Sequence, residues 1–382
     1  MSTGQDRVLM VDMMSGANDY GLELCTALAR RCDLTVVTVT NTSIAPDRVT
    51  RLLPIFPAFG APMGKLTKLR HSLAAYVTLI REVLRHRHDI VHVQFFRFHL
   101  VDMLIYWLLS HWMDHLVYTA HNALPHESRT WHRLLYRRWY RRVSHVHVLS
   151  DYAKARIQEF SGLSPDKISV IHHGNYQALL ERSGAKIDEN ATTSARPSSS
   201  TVTGLVFGQL REYKGVDLLI SAARHLPTDS RLHFIVAGGG SPALFDSYAQ
   251  QARDNGVGER FSFRCGHLED SDLIAMITAT DFSLFPYRHI YQSGALMLAM
   301  TCGTAIMAAD LAGFREYTRN GEDALLCDCT SPETFAAALS RLENDPALRQ
   351  HLQKASRDAA TGRYSWEHIA DSLIELYHAR RS

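Results

Sequence analysis

Arg211 and Lys214 lie close together in FGQLREYKGVDLLISAARHL (Phe207 to Leu226), between an apolar run that reads as a strand and an amphipathic run that reads as a helix. A guanidinium grips two phosphate oxygens through parallel hydrogen bonds, and an ammonium adds a point charge. Gly208 at the head of this loop lets backbone approach a ligand closely. The Walker pattern is absent, and taken alone the segment reads equally well as a solvated basic loop. A second segment, FPYRHIYQSGALMLAM (Phe285 to Met300), ends a buried strand, turns, and starts a helix at Gln292, Ser293 and Gly294. The first N–H groups of a helix gather positive potential, so Ser293, Gly294, Ala295 and Leu296 form a ready site for a diphosphate. Gln292 can donate to an anionic or sugar oxygen without repelling it, and Arg288 adds charge just upstream. The plain reading is a helix capped by a serine.

Other segments hold weaker signals. SGAN, with Gly16, opens another helix after the first strand, and Asp19 follows it. YTAHNALPHES ends a strand with His121 and carries His126 and Glu127 in the next loop. His121 can hydrogen-bond a sugar hydroxyl, and Glu127 or Asp19 can act as base toward an attacking hydroxyl; polar lining is the competing reading. Gly238 begins a glycine run after a buried strand, which reads equally as a strand-to-helix turn. The loop from Gly266 to Glu269, containing His267 and Leu268, offers backbone to a flat base edge. His172 and His173 lack the carboxylate spacing of a metal site and read as hinge or rim. No metal site is predicted anywhere in the chain.

Positioning these loops requires strands and helices in alternation, and the sequence supplies them. RVLMVDMM, LTVVTVT, DIVHVQFF, HLVYTAH, HVHVLS and KISVIHHG serve the first half, and TGLVFGQL, LHFIVAGG, RFSFRCG, DFSLFPY, TAIMAAD and DALLCD the second. Nearly continuous apolar strands separated by helices mean parallel sheets covered on both faces. Residues 185–201, rich in Ser, Thr and Ala, read as a flexible linker. The expected architecture is α/β, with two Rossmann-like doubly wound domains, 1–180 and 202–362, facing across a cleft, and a terminal segment, 363–382. Ligands of such sheets sit beyond the carboxyl ends of the strands.

Composition narrows the classes. The chain has 382 residues, 46% hydrophobic and 21% charged, with a net charge of +2, so no global field for a polyanion exists. Nucleic-acid binding is not expected, because the arginines concentrate in one segment and no known module appears. The six cysteines lack a paired C-x-x-C and read as reduced thiols of a cytoplasmic protein. The N-terminus has no signal-peptide pattern, and the most apolar run, LVDMLIYWLLSHW (Leu100 to Trp112), is short of the ~20 residues a bilayer span needs. It reads as a core helix.

The ordered set of segments resembles the GT-B glycosyltransferases, in particular bacterial glycosyl transferases group 1, related to the family-4 enzymes. The likeness spans the N-terminal glycine loop, AHNALPHE, VLSDYAKARI with KISVIHHGNY, FGQLREYKGVDLLISA, VAGGG, FRCGHLEDSDLIAMITATDFSLFPYR and QSGALMLAMTCGTAIMAADLAGFREY. It implies that the second domain holds a nucleoside diphosphate sugar and that no cofactor is needed. Arg211 and Lys214 then match the basic pair at the diphosphate, with Ser293 to Leu296 as the receiving helix start. Gly16 matches the opposing glycine loop, and His121 the histidine near the donor sugar. The last helix, RYSWEHIADSLIELY, matches one that crosses back onto the first domain. Many relatives carry two glutamates about a helix apart; here their places fall at Leu298 and about Ile290, and Glu316 is a nearby carboxylate that can substitute, with a surface helix role as the competing reading. The resemblance narrows to a subgroup with QSG, associated with exopolysaccharide assembly and with GDP-mannose or a UDP-sugar as donor. A non-catalytic nucleotide-sugar-binding protein stands as the alternative.

Two basic stretches in the first half, residues 64–89 and 131–148, interleave Lys and Arg with apolar and aromatic residues. Such helices favour anionic membrane surfaces. The expectation is peripheral attachment at the inner membrane face and a glycan or polyprenyl-diphosphate-linked acceptor; solvated surface helices are the competing reading.

Overall fold

The computed structural model describes residues 5–13, 19–58, 61–113, 115–121, 130–184, 201–290 and 293–379. The chain divides into two compact units, residues 1–174 with 366–382 and residues 175–365. Residues 185–200 of the expected linker lie outside the described residues.

The first unit runs β1 (Arg7–Asp12), α1 (Asp19–Leu28), β2 (Asp33–Val39), β3 (Arg51–Phe56), α2 (Lys65–Arg85), β4 (Ile90–Val93), α3 (His99–Leu109), β5 (His115–Ala120), α4 (Thr130–Arg142), β6 (His145–Val148), α5 (Asp151–Ser161) and β7 (Ile168–Val170). All seven strands pair in parallel in the order β3-β2-β1-β4-β5-β6-β7. Burial of both faces explains their continuous apolar runs, as in β1, where every residue after Arg7 is buried. The sequence reading missed β3. Its Pro54 argues against a central strand but is compatible with an edge, where this strand lies.

The second unit runs α6 (Gln177–Arg182), β8 (Val202–Phe207), α7 (Val216–Ala223), β9 (Leu232–Gly238), α8 (Pro242–Asp254), β10 (Phe261–Cys265), α9 (Asp270–Ala279), β11 (Phe282–Phe285), α10 (Gly294–Cys302), β12 (Ala305–Ala309), α11 (Ala312–Arg315), β13 (Leu325–Cys327), α12 (Pro332–Asn344) and α13 (Pro346–Thr361). Its six parallel strands follow the order β10-β9-β8-β11-β12-β13. The order reverses between β8 and β11, which opens a crevice at their carboxyl ends. Arg211 and Lys214 follow β8, and Ser293 follows β11.

The last helix, α14 (Trp366–His378), belongs to the first unit. With α1 it covers one face of that sheet, where Leu24, Leu28, Ile369, Leu373 and Tyr377 are buried together. Arg31 forks onto Asp371, its Nη2 also donates to the Glu367 carbonyl at 2.9 Å, and His378 meets Asp6 at 2.8 Å. Trp366 sits so close to Gly174 that a Cβ there would lie 2.4 Å from its ring.

The other face packs against α2, α3, α4 and α5 through side chains such as Leu79, Tyr106, Trp139 and Ile157. Here the core-helix reading of Leu100 to Trp112 is corrected. Helix α3 buries only Asp102, Met103, Tyr106 and Leu109, while Leu104, Trp107 and Leu108 on its outer side are exposed. A helix lying on a sheet presents one stripe to it, so a run apolar all round leaves the opposite stripe uncovered.

Replacing Trp366 by alanine is expected to destabilise the first unit by about 3–5 kcal/mol, the usual cost of emptying a large core site. Urea unfolding followed by circular dichroism should show one transition moved to lower denaturant and the other, from the second unit, in place.

Candidate active site

The site in the second unit is built by two loops at the strand-order reversal. The chain leaves β8, passes Gly208 and Arg211, makes one short turn through Lys214, and enters α7 at Gly215. Gly215 has φ +69°, and a Cβ there would lie 1.9 Å from the Pro286 carbonyl, so the two loops touch where only glycine fits. Arg288 locks them together. Its backbone N–H donates to the Tyr213 carbonyl at 2.8 Å, and its guanidinium takes both oxygens of Asp217, Nη1 to Oδ1 at 2.8 Å and Nη2 to Oδ2 at 2.5 Å. The residue assigned from sequence to donor contact therefore spends its fork on a protein carboxylate and acts on the site by holding the loops.

Lys214 is the unusual member. It is only 4% exposed, and its ammonium donates to the Phe207 carbonyl at 2.8 Å. No carboxylate pairs with it among the described residues. Burial pulls its pKa from the ordinary 10.5 to about 8. The ammonium lies 5.1 Å from the centre of the Tyr287 ring, and the Tyr287 hydroxyl shares a hydrogen bond with Ser293. A Cβ on Gly208, whose φ is +95°, would stand 3.1 Å from Nζ. Gly208, Lys214, Tyr287 and Ser293 thus meet at one point.

Ser293 caps α10, its Oγ accepting from the Leu296 N–H at 3.1 Å. The serine-cap reading is thereby realised, and it does not close the helix start. Leu296 spends its N–H on the cap, whereas the N–H groups of Gly294 and Ala295 have no acceptor among the described residues. Arg211 is exposed and unpaired among the same residues, on the wall of an open cavity of about 730 Å³ shared with Tyr213, Ser241, Leu244, Ser247 and His289. Lys214 and the two backbone donors can hold an anion beside the start of α10, while Arg211 lines the cavity together with Glu212.

The remaining second-unit residues sit in different settings. Gly238, with φ +134°, places its backbone so near Gly208 that a Cβ would meet the Gly208 carbonyl at 2.2 Å, so its glycine serves the packing of adjacent loops. His267 and Glu269 are largely exposed and 3.9 Å apart, while Leu268 packs partly against the core. Glu316 is half-buried at the end of α11. Leu298, where relatives carry a glutamate, is buried apolar core. Gln292 lies outside the described residues.

In the first unit, Gly16 and Glu127 fall outside the described residues, and Asp19 is placed only as the first residue of α1. His121, just past β5, is held on three sides. Its ring stacks on Phe95 at 4.0 Å and 9°, meets Tyr20 edge-on at 5.0 Å, and its Nε2 is 3.2 Å from Gln94 Oε1. Burial, with His147 and His173 nearby, holds its pKa well below the usual imidazole range, so the ring is neutral.

Beside Gln94 and His121 runs a buried polar chain that sequence reasoning missed. Tyr377 Oη is 2.6 Å from His92 Nδ1, His92 Nε2 is 2.7 Å from Thr119 Oγ1, Thr119 Oγ1 is 2.9 Å from His147 Nδ1, and His147 Nε2 is 2.9 Å from the Ile171 carbonyl. A carbonyl only accepts, which sets the sense of the chain. His147 donates from Nε2, Thr119 donates to His147 Nδ1, His92 Nε2 donates to Thr119, and Tyr377 donates to His92 Nδ1. Burial keeps the histidines neutral, pulling His147 to about 4. The Gln94 carboxamide nitrogen lies 3.3 Å from His92 Nε2; both are donors in this sense of the chain, so Gln94 flanks it without a hydrogen bond. The available signal was the alternation of His92 with Gln94 and of His145 with His147, which places polar side chains on one face of a buried strand.

Residues 194–359 match the family model Glycosyl transferases group 1, and residues 14–174 match Glycosyltransferase Family 4. The D-inositol 3-phosphate glycosyltransferase of Rhodococcus jostii (strain RHA1) is 27% identical over 394 residues, across 95% of this chain and 84% of the relative. Among solved structures, Anabaena HepE in complex with UDP has a TM-score of 0.66 at 16% identity, covering 98% of this chain and 100% of HepE. WaaG, a glycosyltransferase involved in lipopolysaccharide biosynthesis, has a TM-score of 0.54 at 18% identity, covering 97% of this chain and 99% of WaaG.

The depressed pKa of Lys214 predicts a pH dependence of definite sign for an anion bound beside it. The ammonium is charged below pH 8 and discharged above it, so UDP or GDP affinity should weaken as pH rises through about 8, by up to about tenfold per pH unit. Isothermal titration across this range checks it, and Lys214→Met should bind weakly with that slope removed. Both halves of the chain carry glycosyltransferase domains, a family 4-like one and then a group 1 one, which makes the protein a glycosyltransferase of the GT-B fold.

Proposed function

We propose that this protein transfers a hexosyl unit from a nucleoside diphosphate sugar to a hydroxyl of a glycan or lipid-linked glycan. One observation carries the reading: a buried ammonium without a carboxylate partner, Lys214, stands beside the open start of α10 at the strand-order reversal. Breaking the glycosidic bond leaves both bonding electrons on the diphosphate oxygen. In this reading Lys214, Arg211 and the N–H groups of Gly294 and Ala295 supply charges and dipoles where that negative charge develops, which is where fixed donors contribute most. These groups serve the role a bound metal ion would otherwise fill, so transfer is metal-independent in this reading. The sugar-side roles of His121, Gln292 and Glu316, and of Glu127 or Asp19 as base, are part of the same proposal.

The finer assignment is to bacterial polysaccharide assembly on a polyprenyl-diphosphate-linked acceptor, with GDP-mannose or a UDP-sugar as donor. The involvement of WaaG in lipopolysaccharide biosynthesis supports a lipid-borne glycan, and the UDP bound to HepE supports the uridine arm. The D-inositol 3-phosphate glycosyltransferases point instead to a small acceptor, which makes acceptor size the question to test. Donor binding without transfer is the second reading, favoured by the apolar Leu298 where relatives place a carboxylate.

Incubation of the purified protein with radiolabelled UDP-glucose or GDP-mannose, with acceptor and with EDTA, should show transfer that survives chelation. Arg211→Glu combined with Lys214→Met should lower kcat/KM by about 10²–10³-fold. Unchanged turnover in that double variant overturns the site, and binding with neither transfer nor hydrolysis supports the second reading.

A further inference from the structure

We infer that the outer surface of α2, α3 and α4 docks the protein on an anionic lipid bilayer. Among the described residues, every large apolar side chain that is exposed lies between Leu66 and Leu134, apart from Tyr152. On α2, Leu66, Leu69, Leu73 and Val77 follow at steps of three and four, which makes one continuous stripe. On α3, Leu104, Trp107 and Leu108 face outward, and Trp112 is exposed just beyond the helix. Helix α4 adds Trp131 and Leu134.

The three helices form one surface. Tyr76 of α2 donates to Asp102 of α3 at 2.5 Å, and Tyr136 of α4 lies 2.6 Å from His99 of α3. The central helix α3 carries no lysine or arginine. Its neighbours supply them, with Arg70, Arg81 and Arg85 exposed on α2 and Arg133, Arg137, Arg138, Arg141 and Arg142 exposed on α4.

Charge selects the occupant. The only carboxylates on the three helices are Glu82 and Asp102, at 5% and 0% exposure, so the outer surface is cationic without acidic relief. Glu82 is held by Arg51 and His88 beneath, and Asp102 accepts from Tyr76 and from the backbone of Arg97 and Phe98. A second copy would bring arginine against arginine, whereas an anionic leaflet neutralises the flanks while the apolar ridge enters the acyl boundary. No helix among the described residues is long and apolar enough to cross a membrane, so attachment is by insertion of side chains. The surface is independent of the donor site and stands whether or not transfer occurs.

Flotation of the full chain with vesicles tests it. The protein should float with phosphatidylcholine vesicles containing phosphatidylglycerol at low salt, release at high salt, and stay behind with phosphatidylcholine alone. Tryptophan emission should shift to the blue on binding. Leu104→Glu with Trp107→Glu should abolish that shift and weaken binding at least tenfold, and Arg137→Glu with Arg138→Glu should prevent recruitment. All four side chains are exposed, so thermal unfolding and UDP binding should match the parent protein, which separates loss of docking from loss of fold or donor site. Failure to float on anionic vesicles at low salt overturns the inference, as does equal flotation of the variants. A lipid-free dimer in light scattering that Leu104→Glu abolishes assigns the surface to self-association and overturns it too.

Discussion

A lysine buried without a counter-ion is costly, and the second unit is arranged around that cost. Moving an ammonium out of water disfavours its charged form, and in Lys214 this appears as a pKa depressed to about 8. One carbonyl and one aromatic face partly replace the lost hydration. A core position would be satisfied by a neutral residue. Retaining a lysine makes sense where a dianion arrives to complete the charge balance, because the desolvated cation then acts at full strength in a low-dielectric setting. The carboxylate that would have compensated it, Asp217, is on the same stretch of chain but is committed to Arg288.

Everything that holds Lys214 in place follows from tight contact between loops of adjacent strands. Gly215 against the Pro286 carbonyl and Gly238 against the Gly208 carbonyl leave no room for a side chain, and both glycines have positive φ. These contacts fix the loops after β8, β9 and β11 relative to one another, so that the ammonium, the Tyr287 ring and the Ser293 cap come together. The topology supplies the place, since the strand order reverses at this pair, and the glycines supply the precision.

Much of this was legible in the chain. The alternation of apolar strands and amphipathic helices is enough for two parallel sheets, and SGAL after an apolar strand marks a helix start by composition alone. The cationic types at Arg211 and Lys214 are visible, but their difference is not: only packing separates an exposed guanidinium from a buried ammonium. Arg288 shows the converse case. Its charge invited a ligand role, while its partner, Asp217, is 71 residues distant in sequence, in the first turn of α7. Strand β3 was hidden by Pro54 because an edge strand tolerates what a central one does not. The polar chain from Tyr377 to the Ile171 carbonyl joins strands and a terminal helix up to 285 residues apart, a register no local pattern fixes.

Helix α3 exposes the sharper limit of pattern reading. An apolar helix is compatible with a core, a membrane span or a surface that meets another apolar phase, and periodicity separates these only when one side is polar. The sheet accounts for Met103, Tyr106 and Leu109, and the Asp102 hydrogen bonds pin the rotation of the helix so that Leu104, Trp107 and Leu108 must face away. Were those outer residues merely incidental, selection for solubility would favour charge there, as on the neighbouring helices. Instead the charge is displaced onto the flanks and is all of one sign, an asymmetry that packing within the first unit does not require. The two features, an uncovered apolar ridge and cations without acids, share one physical explanation in an interface with an anionic leaflet.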